Sequence, residues 1–571
     1  MKNFMMAIIA VWAIATGNAA DGPDDALVGR ILEITGAERV EDLDEETFSE
    51  FENLARNPVR INFASRSRLR SCGLFSNYQI ASLLDYIERT GEIRSFAEMS
   101  LVDGFSGTFV DRIRPFVSVE YADGKAGKRD QDIRGAAAAK ADLKNGGIHI
   151  NASLGETLDF NFGSGKIGWE NALKSIAGRI EEEDPGGGKI EWDASELTGS
   201  LRWSGKKISI TAGDFNVAFG QGLTLWTGFT MSGASSVKFD RNATGTRPGT
   251  GFGRSSRIRG LAAGWDSGKF SADIIAGING EIGANTTMRF KSFQIGATGY
   301  HEKGSTVAGV DTKFNFSKID FYSEAAFDFV NKAPAILAGT SYSPAYLTKF
   351  SLLGRWYPTE FKSTRAGAFR SSTKPSDETG ISAAAQFRKL TITADAAYHP
   401  LKSQHHFKAI LNFSPEWNVG GHSFKPELKI TERYRPNDAL KHRTELRIGA
   451  SLNSDKLENT ILTDIVHSRN WGYMISCESK YKTNKLSLAA KLTCFMADSW
   501  DDRIYSWQRD VPGTFNVKAL YGRGWIVSLY ASYNKTYYLR AAVTSYPGNP
   551  QKNVLEIRLE YVKDFFHRRS P

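Results

Sequence analysis

Alternation of apolar and polar residues dominates the second half of the chain. Near its end, residues 554–562 read V-L-E-I-R-L-E-Y-V. Leu555 and Ile557 would lie on one face of an extended segment, with Glu556 and Arg558 on the other. A period of two residues is typical of a β-strand that has one apolar and one charged face.

Residues 319–329 and 537–544 repeat this pattern. A soluble sandwich alternates in the same way, but its polar face meets water. In a membrane barrel the apolar face meets lipid and the polar face lines the lumen. Alternation alone therefore leaves both architectures open, and the choice depends on other features of the chain.

The first twenty residues favour export. Lys2 is followed by an apolar run over residues 5–15 and by small residues over 17–20, which predicts a secretory signal peptide over residues 1–20. No later apolar run is long enough for a helical span. An exported chain can still cross a membrane as a barrel, and the aromatic residues Tyr561, Phe565 and Phe566 near the chain end favour that reading. We therefore predict a large antiparallel transmembrane β-barrel over residues 133–571, with outer-membrane lipid as its partner.

Composition agrees with many strands and tight turns. The 571 residues include 54 glycines and 12% aromatic residues, and the net charge is +9. This positive excess fits either a lumen rich in Lys and Arg or an anionic partner, and the total does not choose between them.

A helical domain is predicted before the barrel, over residues 21–120. Residues 21–55 are acidic with rough helical spacing, and residues 57–120 contain apolar stripes at helical spacing, such as Ile80, Leu83 and Ile87. Residues 121–132, YADGKAGKRDQD, predict a linker.

Residues 57–120 resemble the paired helix-hairpin-helix domain of competence-type DNA receptors. The similarity is carried by the pieces INFAS, RTGEIRSF and IRPFVSV and by the hairpins at Gly73-Leu74 and Gly104-Phe105. In that family the hairpin backbone holds a DNA phosphate. The resemblance implies a nucleic-acid site formed by Gly73, Gly104, Arg66, Arg68, Arg70, Arg112 and Arg114. The second hairpin glycine of each unit is replaced here, by Phe75 and by Ser106.

Residues 212–229, AGDFNVAFGQGLTLWTGF, form an unusual glycine-rich stretch within the predicted barrel. Together with residues 177–186 and 256–260 it resembles a family of exported Gram-negative proteins, which join a helix-hairpin-helix domain to a large C-terminal β-region. The functional interpretation is a lumen constriction in which Asp214, Asn216 and Gln221 meet Arg257 and Arg259. The alternative is a strand pair bent at glycines. Residues 237–254 predict an extracellular loop or a segment folded into the lumen.

Sequence motifs for catalysis are not found. The chain has no HExxH or GxSxG motif, and the adjacent His405 and His406 would point to opposite faces of a strand. We expect no metal, no cofactor and no enzymatic activity.

The sequence therefore predicts an outer-membrane β-barrel with a periplasmic helix-hairpin-helix domain, acting in passage, docking or assembly. The protein partner of that domain is left open. DNA capture in the periplasm during DNA uptake is the alternative, and an outer-membrane hydrolase is a third class.

Overall fold

The computed structural model describes residues 23–120 and 131–564 apart from short gaps, the longest of which are 38–42, 183–187, 194–199, 229–236, 249–256, 437–441 and 511–515. For residues 131–201 and 559–564 it describes the backbone. The predicted signal peptide and most of the predicted linker lie outside the described residues. No helix in the described part of the chain is long and apolar enough to cross a bilayer.

The N-terminal domain is helical. Its helices are α1 (Pro23–Thr35), α2 (Glu45–Arg56), α3 (Arg66–Ser71), α4 (Asn77–Thr90), α5 (Phe96–Met99) and α6 (Gly107–Ile113). Two short parallel strands, β1 (Val59–Arg60) and β2 (Val117–Ser118), join its ends. Its core includes the fully buried side chains of Ile31, Ile61, Leu69, Leu83, Ile113 and Phe116.

Local signals set the helix boundaries in this domain. The Ser76 hydroxyl accepts the N–H of Gln79 while the Gln79 side chain accepts the N–H of Ser76, a reciprocal cap that starts α4. Gly91 ends α4 with a positive φ of 90°, which a glycine adopts without strain. Ser106 caps α6 by accepting the N–H of Phe109.

The rest of the described chain is mainly antiparallel sheet. Its strands are β3 (Gln131–Lys144), β4 (Gly147–Phe162), β5 (Gly165–Asn171), β6 (Ile176–Glu182), β7 (Gly188–Asp193), β8 (Ser200–Ser204), β9 (Ile208–Ala218), β10 (Gly245–Pro248), β11 (Ile258–Asp266), β12 (Phe270–Gly277), β13 (Ile282–Arg289), β14 (Phe293–Glu302), β15 (Ser305–Phe316), β16 (Ile319–Asp328), β17 (Ala333–Ala345), β18 (Thr348–Tyr357), β19 (Glu378–Phe387), β20 (Leu390–His399), β21 (Gln404–Phe413), β22 (Trp417–Val419), β23 (His422–Tyr434), β24 (His442–Asn453), β25 (Leu457–His467), β26 (Trp471–Lys482), β27 (Leu486–Ala497), β28 (Ile504–Trp507), β29 (Val517–Leu520), β30 (Gly522–Tyr533), β31 (Tyr537–Ser545) and β32 (Val554–Asp564).

These strands close into a barrel, which confirms the predicted large antiparallel β-barrel. The last strand pairs with the first barrel strand, from Arg134 opposite Asp564 to Leu143 opposite Leu555. Only β28 and β29, among the described barrel-region strands, pair outside the wall as a separate hairpin. In the part of the chain that the structure describes, the first wall strand starts at Gln131.

The two openings of the barrel differ in their connections. We call the opening beside Gln131 and Asp564 the proximal mouth and the opposite one the distal mouth. Proximal turns are short, as at residues 317–318, 346–347 and 388–389. The long connections, residues 358–377 and 498–521, leave from the distal ends of their strands.

Side chains alternate between the two faces of the wall as the sequence predicts. In β16 the outward Phe321 and Phe327 are exposed, whereas the inward Tyr322 and Glu324 are buried. In β32 Ile557 is outward and exposed, and Arg558 is inward and buried. The apolar face therefore points away from the barrel axis and the polar face points into the lumen.

The lumen is occupied by the chain itself. In the described residues, three distal connections fold inward: the first inserted segment (residues 219–228 and 237–248), the second (358–377) and the third (498–510 and 516–521). The expectation that residues 237–254 either form an external loop or enter the lumen is resolved for residues 237–248. They lie inside, where the inward Ser351 hydroxyl donates to the carbonyl of Val237 at 2.5 Å.

Candidate functional site

A buried carboxylate fixes the first inserted segment to the wall. Glu324 accepts hydrogen bonds from the backbone N–H groups of Gln221 (2.6 Å), Leu223 (3.1 Å) and Thr224 (3.0 Å). The turn at Gly220 has φ +57°, and a Cβ there would lie 2.8 Å from a Glu324 oxygen. Glycine thus allows the backbone to approach the carboxylate closely enough for these bonds.

The first and second inserted segments are joined by backbone hydrogen bonds. The N–H of Trp226 donates to the carbonyl of Arg365 at 2.8 Å, and the N–H of Gly367 donates to the carbonyl of Gly222 at 2.9 Å. The Arg241 guanidinium donates to the Gly367 carbonyl and lies over the Trp226 ring, 5.2 Å from its centroid. The two segments consequently form one body inside the barrel.

A buried ion network in the wall holds the second inserted segment. Arg355 contacts Glu378 at 2.5 Å and Asp395 at 2.8 Å, and the side chains of Arg355 and Glu378 are fully buried. Glu378 also accepts the backbone N–H of Ser371 at 2.9 Å. Because buried charges need partners, this network fixes both the wall and the segment.

The third inserted segment rests on the opposite side of the lumen. Asp510 contacts Arg558 and lies 3.7 Å from Arg540, which is itself fully buried and bonded to Glu556 at 2.7 Å. The inward Lys491 donates to the carbonyl of Trp507 at 2.7 Å. These contacts carry β28 deep into the barrel, where Trp507 packs against the core of the N-terminal domain.

The N-terminal domain itself occupies the proximal mouth. Arg70 of α3 pairs with the inward Asp273 at 3.0 Å, and both side chains are at least nine-tenths buried. Arg66 lies 3.8 Å from Asp266, and Glu50 pairs with Arg247 of β10 at 2.7 Å. Oppositely charged groups thus join the helical domain to the wall and to the first inserted segment.

The residues predicted to bind nucleic acid fall into two groups. Gly73 and Gly104 both have positive φ, 72° and 84°, as tight turns require. A Cβ on Gly73 would lie 3.5 Å from Thr244, so the first turn faces the barrel interior. The turn at Gly104 is exposed.

The arginines lie on α3 and around α6, and Arg112 is half-buried within electrostatic range of Lys238 in the first inserted segment. Arg66 and Arg70 face carboxylates of the barrel, and Arg68 is half-buried on the same helix. Arg112 belongs to α6, and the Arg114 guanidinium lies 5.1 Å from the centroid of the Phe96 ring. The structure therefore does not gather these five side chains on one surface.

The predicted lumen residues are only partly brought together. Arg259 and Asp214 face each other across β11 and β9 and form a double hydrogen bond at 2.7 and 2.9 Å. Asn216 instead accepts from the Thr227 hydroxyl at 3.3 Å, and Gln221 accepts the backbone N–H of Arg241 at 2.9 Å. Arg257 is buried next to the start of β11.

Sequence reasoning missed the residues that anchor the inserted segments. Glu324, Arg355 and Arg540 are buried charged residues at inward strand positions. Their alternation with apolar neighbours identifies their face. Nothing in the local sequence identifies the partner segments, which for Glu324 lie about 100 residues away along the chain.

Electrostatics favour the ionised form of Asp240 in the first inserted segment. Burial by itself would raise the pKa of this carboxyl. The neighbouring Lys313, Lys238 and Lys349 together hold the pKa well below its ordinary value. Lys313 bonds Asp240 directly at 2.8 Å.

Within the described ranges, no three His, Cys, Asp or Glu side chains are grouped so that they could hold a metal ion. His405 and His406 lie on opposite faces of β21, outward and inward respectively.

Comparison with known proteins gives matches to solved barrel structures only. No protein-family model matches the chain, and no curated protein matches it. The translocation pore of the P pilus usher PapC is 10% identical, with a TM-score of 0.39, and covers 77% of this chain and 100% of its own. The outer membrane protein OprD from Pseudomonas aeruginosa is 11% identical, with a TM-score of 0.31, covering 78% and 96%. OccK5 (OpdH) from Pseudomonas aeruginosa is 8% identical, with a TM-score of 0.29, covering 77% and 99%. At this level of similarity, none of these proteins' functions is transferred to the chain.

Proposed function

We propose that this protein is an outer-membrane β-barrel that works without enzymatic chemistry, as a gated passage closed by its own inserted segments and by its N-terminal domain. The observation that carries the proposal is the outer surface of the wall. Large apolar side chains are exposed all along it, including Ile274, Ile336, Leu352, Ile448, Ile461 and Ile475. Contiguous apolar surface of this extent requires a lipid environment.

Aromatic residues border this aliphatic surface at both mouths. Outward rings near the proximal mouth belong to Trp265, Phe290, Phe316, Phe350, Phe387 and Phe413. Outward rings near the distal mouth belong to Phe327, Phe329, Trp356, Tyr398, Trp471 and Tyr521. Two aromatic girdles flanking an apolar band are characteristic of outer-membrane barrels, where the rings lie at the headgroup level.

Turn length supports an orientation. Outer-membrane barrels have short periplasmic turns and long extracellular loops. The proximal turns are short and the long connections are distal, so the proximal mouth would face the periplasm. The N-terminal domain, seated in that mouth, would then be periplasmic.

Gating is supported by the chemistry of the closure. The N-terminal domain is joined to the barrel by ion pairs, Arg70–Asp273 and Glu50–Arg247 among them. Separating such a pair costs less free energy than exposing apolar packing to water, because the separated charges regain their hydration. A ligand or partner protein that offers the domain equivalent contacts could therefore release it.

Membrane location is tested by fractionation of cells and by heat-modifiable gel mobility. We expect the protein in the outer-membrane fraction and faster migration without boiling. Recovery as a freely soluble periplasmic protein would refute the membrane assignment.

Closure is tested by planar-bilayer conductance of the full chain and of two variants. The wild type should conduct little. Arg70→Glu places a second carboxylate next to that of Asp273, and the repulsion between them should produce open events. The matched control combines Arg70→Glu with Asp273→Arg, which restores opposite charges and should return the conductance to the wild-type level. Equal conductance of all three proteins would contradict closure by this domain.

DNA binding is a second candidate, favoured by one observation. The turn at Gly104 is exposed, has the positive φ that a close phosphate approach needs, and precedes the capped N-terminus of α6. The first turn faces the barrel instead, so any binding in the closed state would use the second unit.

Fluorescence anisotropy of the detergent-solubilised full chain with duplex DNA, over a salt series, tests this. We expect weak, salt-sensitive binding that Arg112→Ala with Arg114→Ala abolishes. Tight binding that resists salt would instead promote DNA uptake to the leading function.

A further inference from the structure

Basic side chains recur in the turns of the proximal mouth. Short turns join the strands there at residues 267–269, 317–318, 388–389, 454–456 and 483–485. We call their basic residues the basic rim: Lys269, Lys318, Arg388, Lys389, Lys456 and Lys485. All of them are exposed except Lys456, which is half-buried. The turns belong to five hairpins between β11 and β27, so the charges are spread along the edge of the wall and not gathered at one point.

The charge of the basic rim is not neutralised by ion pairs. None of its six side chains forms an ion pair in the part of the chain that the structure describes. Lys318 donates to the carbonyl of Pro344 at 2.8 Å, a contact that leaves its positive charge in place. Among the described residues of the short proximal turns, Glu416 is acidic, and it pairs with Lys425 at 3.1 Å while Lys389 lies within its electrostatic range.

The distal mouth has charges of both signs along its edge. Arg469 lies 3.7 Å from Asp501, and Arg523 lies 3.3 Å from Asp498. Exposed pairs of this kind contribute little to stability. They do offset the positive charge locally, as no acidic residue does for most of the basic rim.

One residue of the basic rim occupies an unfavourable backbone conformation. Arg388 has φ 54° in the two-residue turn that joins Phe387 to Leu390. Residues with a Cβ rarely adopt this left-handed conformation, and Asn or Gly is the usual choice in such turns. The proximal turn after β30 has that choice, with Asn534 at φ 55°. A basic side chain at position 388 therefore replaces the residue that turn geometry favours, which indicates a role for its charge.

The basic rim borders the proximal aromatic girdle. The outward ring of Phe387 directly precedes Arg388, and the outward ring of Phe316 lies two residues before Lys318. Girdle rings of outer-membrane barrels lie at the level of the lipid headgroups. The basic side chains start just beyond the rings, so they lie at the depth where lipid phosphates are found.

We propose that the basic rim binds the phosphate groups of anionic phospholipids in the leaflet that borders the proximal mouth. The inference rests on the proposed membrane location and names a lipid class that the wall prefers. Lys and Arg near a membrane surface are attracted to anionic headgroups, and they form charge-assisted hydrogen bonds with phosphate oxygens. The spacing of the charges along the edge fits lipids, which surround the barrel, better than a nucleic acid, which would contact one side of it.

The selectivity of lipid association tests this binding. The full chain is reconstituted in phosphatidylcholine vesicles, and spin-labelled phosphatidylglycerol is compared with spin-labelled phosphatidylcholine by EPR. Lipids held at the protein surface give a motionally restricted signal. At low ionic strength we expect phosphatidylglycerol to be preferred at least about twofold. This preference should fall when salt is raised to about 0.5 M, and a preference that resists salt would contradict binding through charge.

Variants locate the preference on the protein. Lys318→Gln with Arg388→Gln and Lys389→Gln should remove at least about half of it. The matched control, Lys303→Gln with Lys332→Gln and Lys402→Gln, removes the same charge from exposed distal turns and should have less than about half that effect. Heat-modifiable gel mobility shows that each protein compared is a folded barrel. Equal losses in the two variants would overturn the proximal site.

The remaining outcomes separate this inference from the proposed function. A wild-type barrel that inserts into the vesicles without preferring phosphatidylglycerol would refute the lipid site and leave the membrane location intact. A protein that stays out of the membrane would refute the proposed function itself. Duplex DNA binding that the rim variant abolishes, with lipid selectivity unchanged, would overturn the lipid site and assign the basic rim to nucleic acid.

Discussion

The environment of each wall side chain is set by the face of the wall on which it lies. Ile448 and Ser451 are three residues apart on β24, yet Ile448 is exposed on the outer face and Ser451 lies on the inner face, bonded to Thr460 at 2.9 Å. On the outer face a charge would enter lipid, whereas on the inner face it meets water and polar groups.

We therefore expect Ile448→Arg to lower the free energy of unfolding from lipid, and so the stability, by about 2–4 kcal/mol, because the residue is near the middle of its strand. Ser451→Arg is the matched control and should cost less than about 1 kcal/mol. Reversible unfolding in phospholipid vesicles measures both. Equal penalties would indicate a soluble sheet.

Cys72 reports on the core of the N-terminal domain. Its thiol is buried beneath α3, and burial raises the pKa of the thiol above its ordinary value. In a Cys477→Ser, Cys494→Ser background, iodoacetamide should alkylate Cys72 slowly in the native protein and rapidly in denaturant. The neutral thiol is favoured in the folded domain, so the domain should lose stability as the pH rises above about 8.5, where the unfolded thiol ionises. Rapid native alkylation would contradict the buried position.

At the scale of elements, closure depends on wall residues that hold inserted segments by their backbones. Glu324 on β16 accepts hydrogen bonds from three backbone N–H groups of one turn. Glu378 on β19 accepts the backbone N–H of Ser371 in the second inserted segment. Anchors of this kind fix a segment without requiring it to have regular structure. In the first inserted segment, the anchor also makes the turn depend on a strand roughly 100 residues away.

Glu324→Ala should loosen the first inserted segment. The change leaves the N–H groups of Gln221, Leu223 and Thr224 without their acceptor, at a cost of about 1–3 kcal/mol for each group that stays buried. Glu324→Gln is the matched control, since its carbonyl oxygen can still accept. Limited proteolysis should cut the Ala variant within residues 219–248 faster than the Gln variant. Unchanged protection in both would show that the segment is held elsewhere.

At the scale of the whole molecule, the barrel, the three inserted segments and the N-terminal domain form one closed unit. Trp507 reaches the domain core from the distal side, while Arg70 reaches Asp273 from the proximal side. Disturbing either contact should therefore affect the same closure.

Breaking the Arg70–Asp273 pair should cost about 3–5 kcal/mol of docking, because it leaves an uncompensated buried charge. Asp273→Asn should therefore increase the alkylation rate of Cys72 in the native protein. Asp320→Asn, which neutralises another inward carboxylate on the wall, is the control and should not. Identical rates would show that the domain stays docked without this pair.

The sequence by itself determined the strand-rich architecture and the two faces of the wall. A period of two residues forces alternate side chains such as Phe321 and Tyr322 to opposite sides of a strand whatever the strand pairs with. It also predicted a helix through the apolar stripe of Ile80, Leu83 and Ile87, since helical spacing is a local property of the chain. Only the tertiary structure decided which residues meet in the lumen. The partners of Glu324 and Arg70 lie about 100 and 200 residues away, and closure of the barrel brings them together. For the same reason Arg70, which the resemblance to DNA receptors implied as a phosphate ligand, pairs with Asp273. A barrel that places a buried carboxylate beside α3 satisfies that charge within the chain.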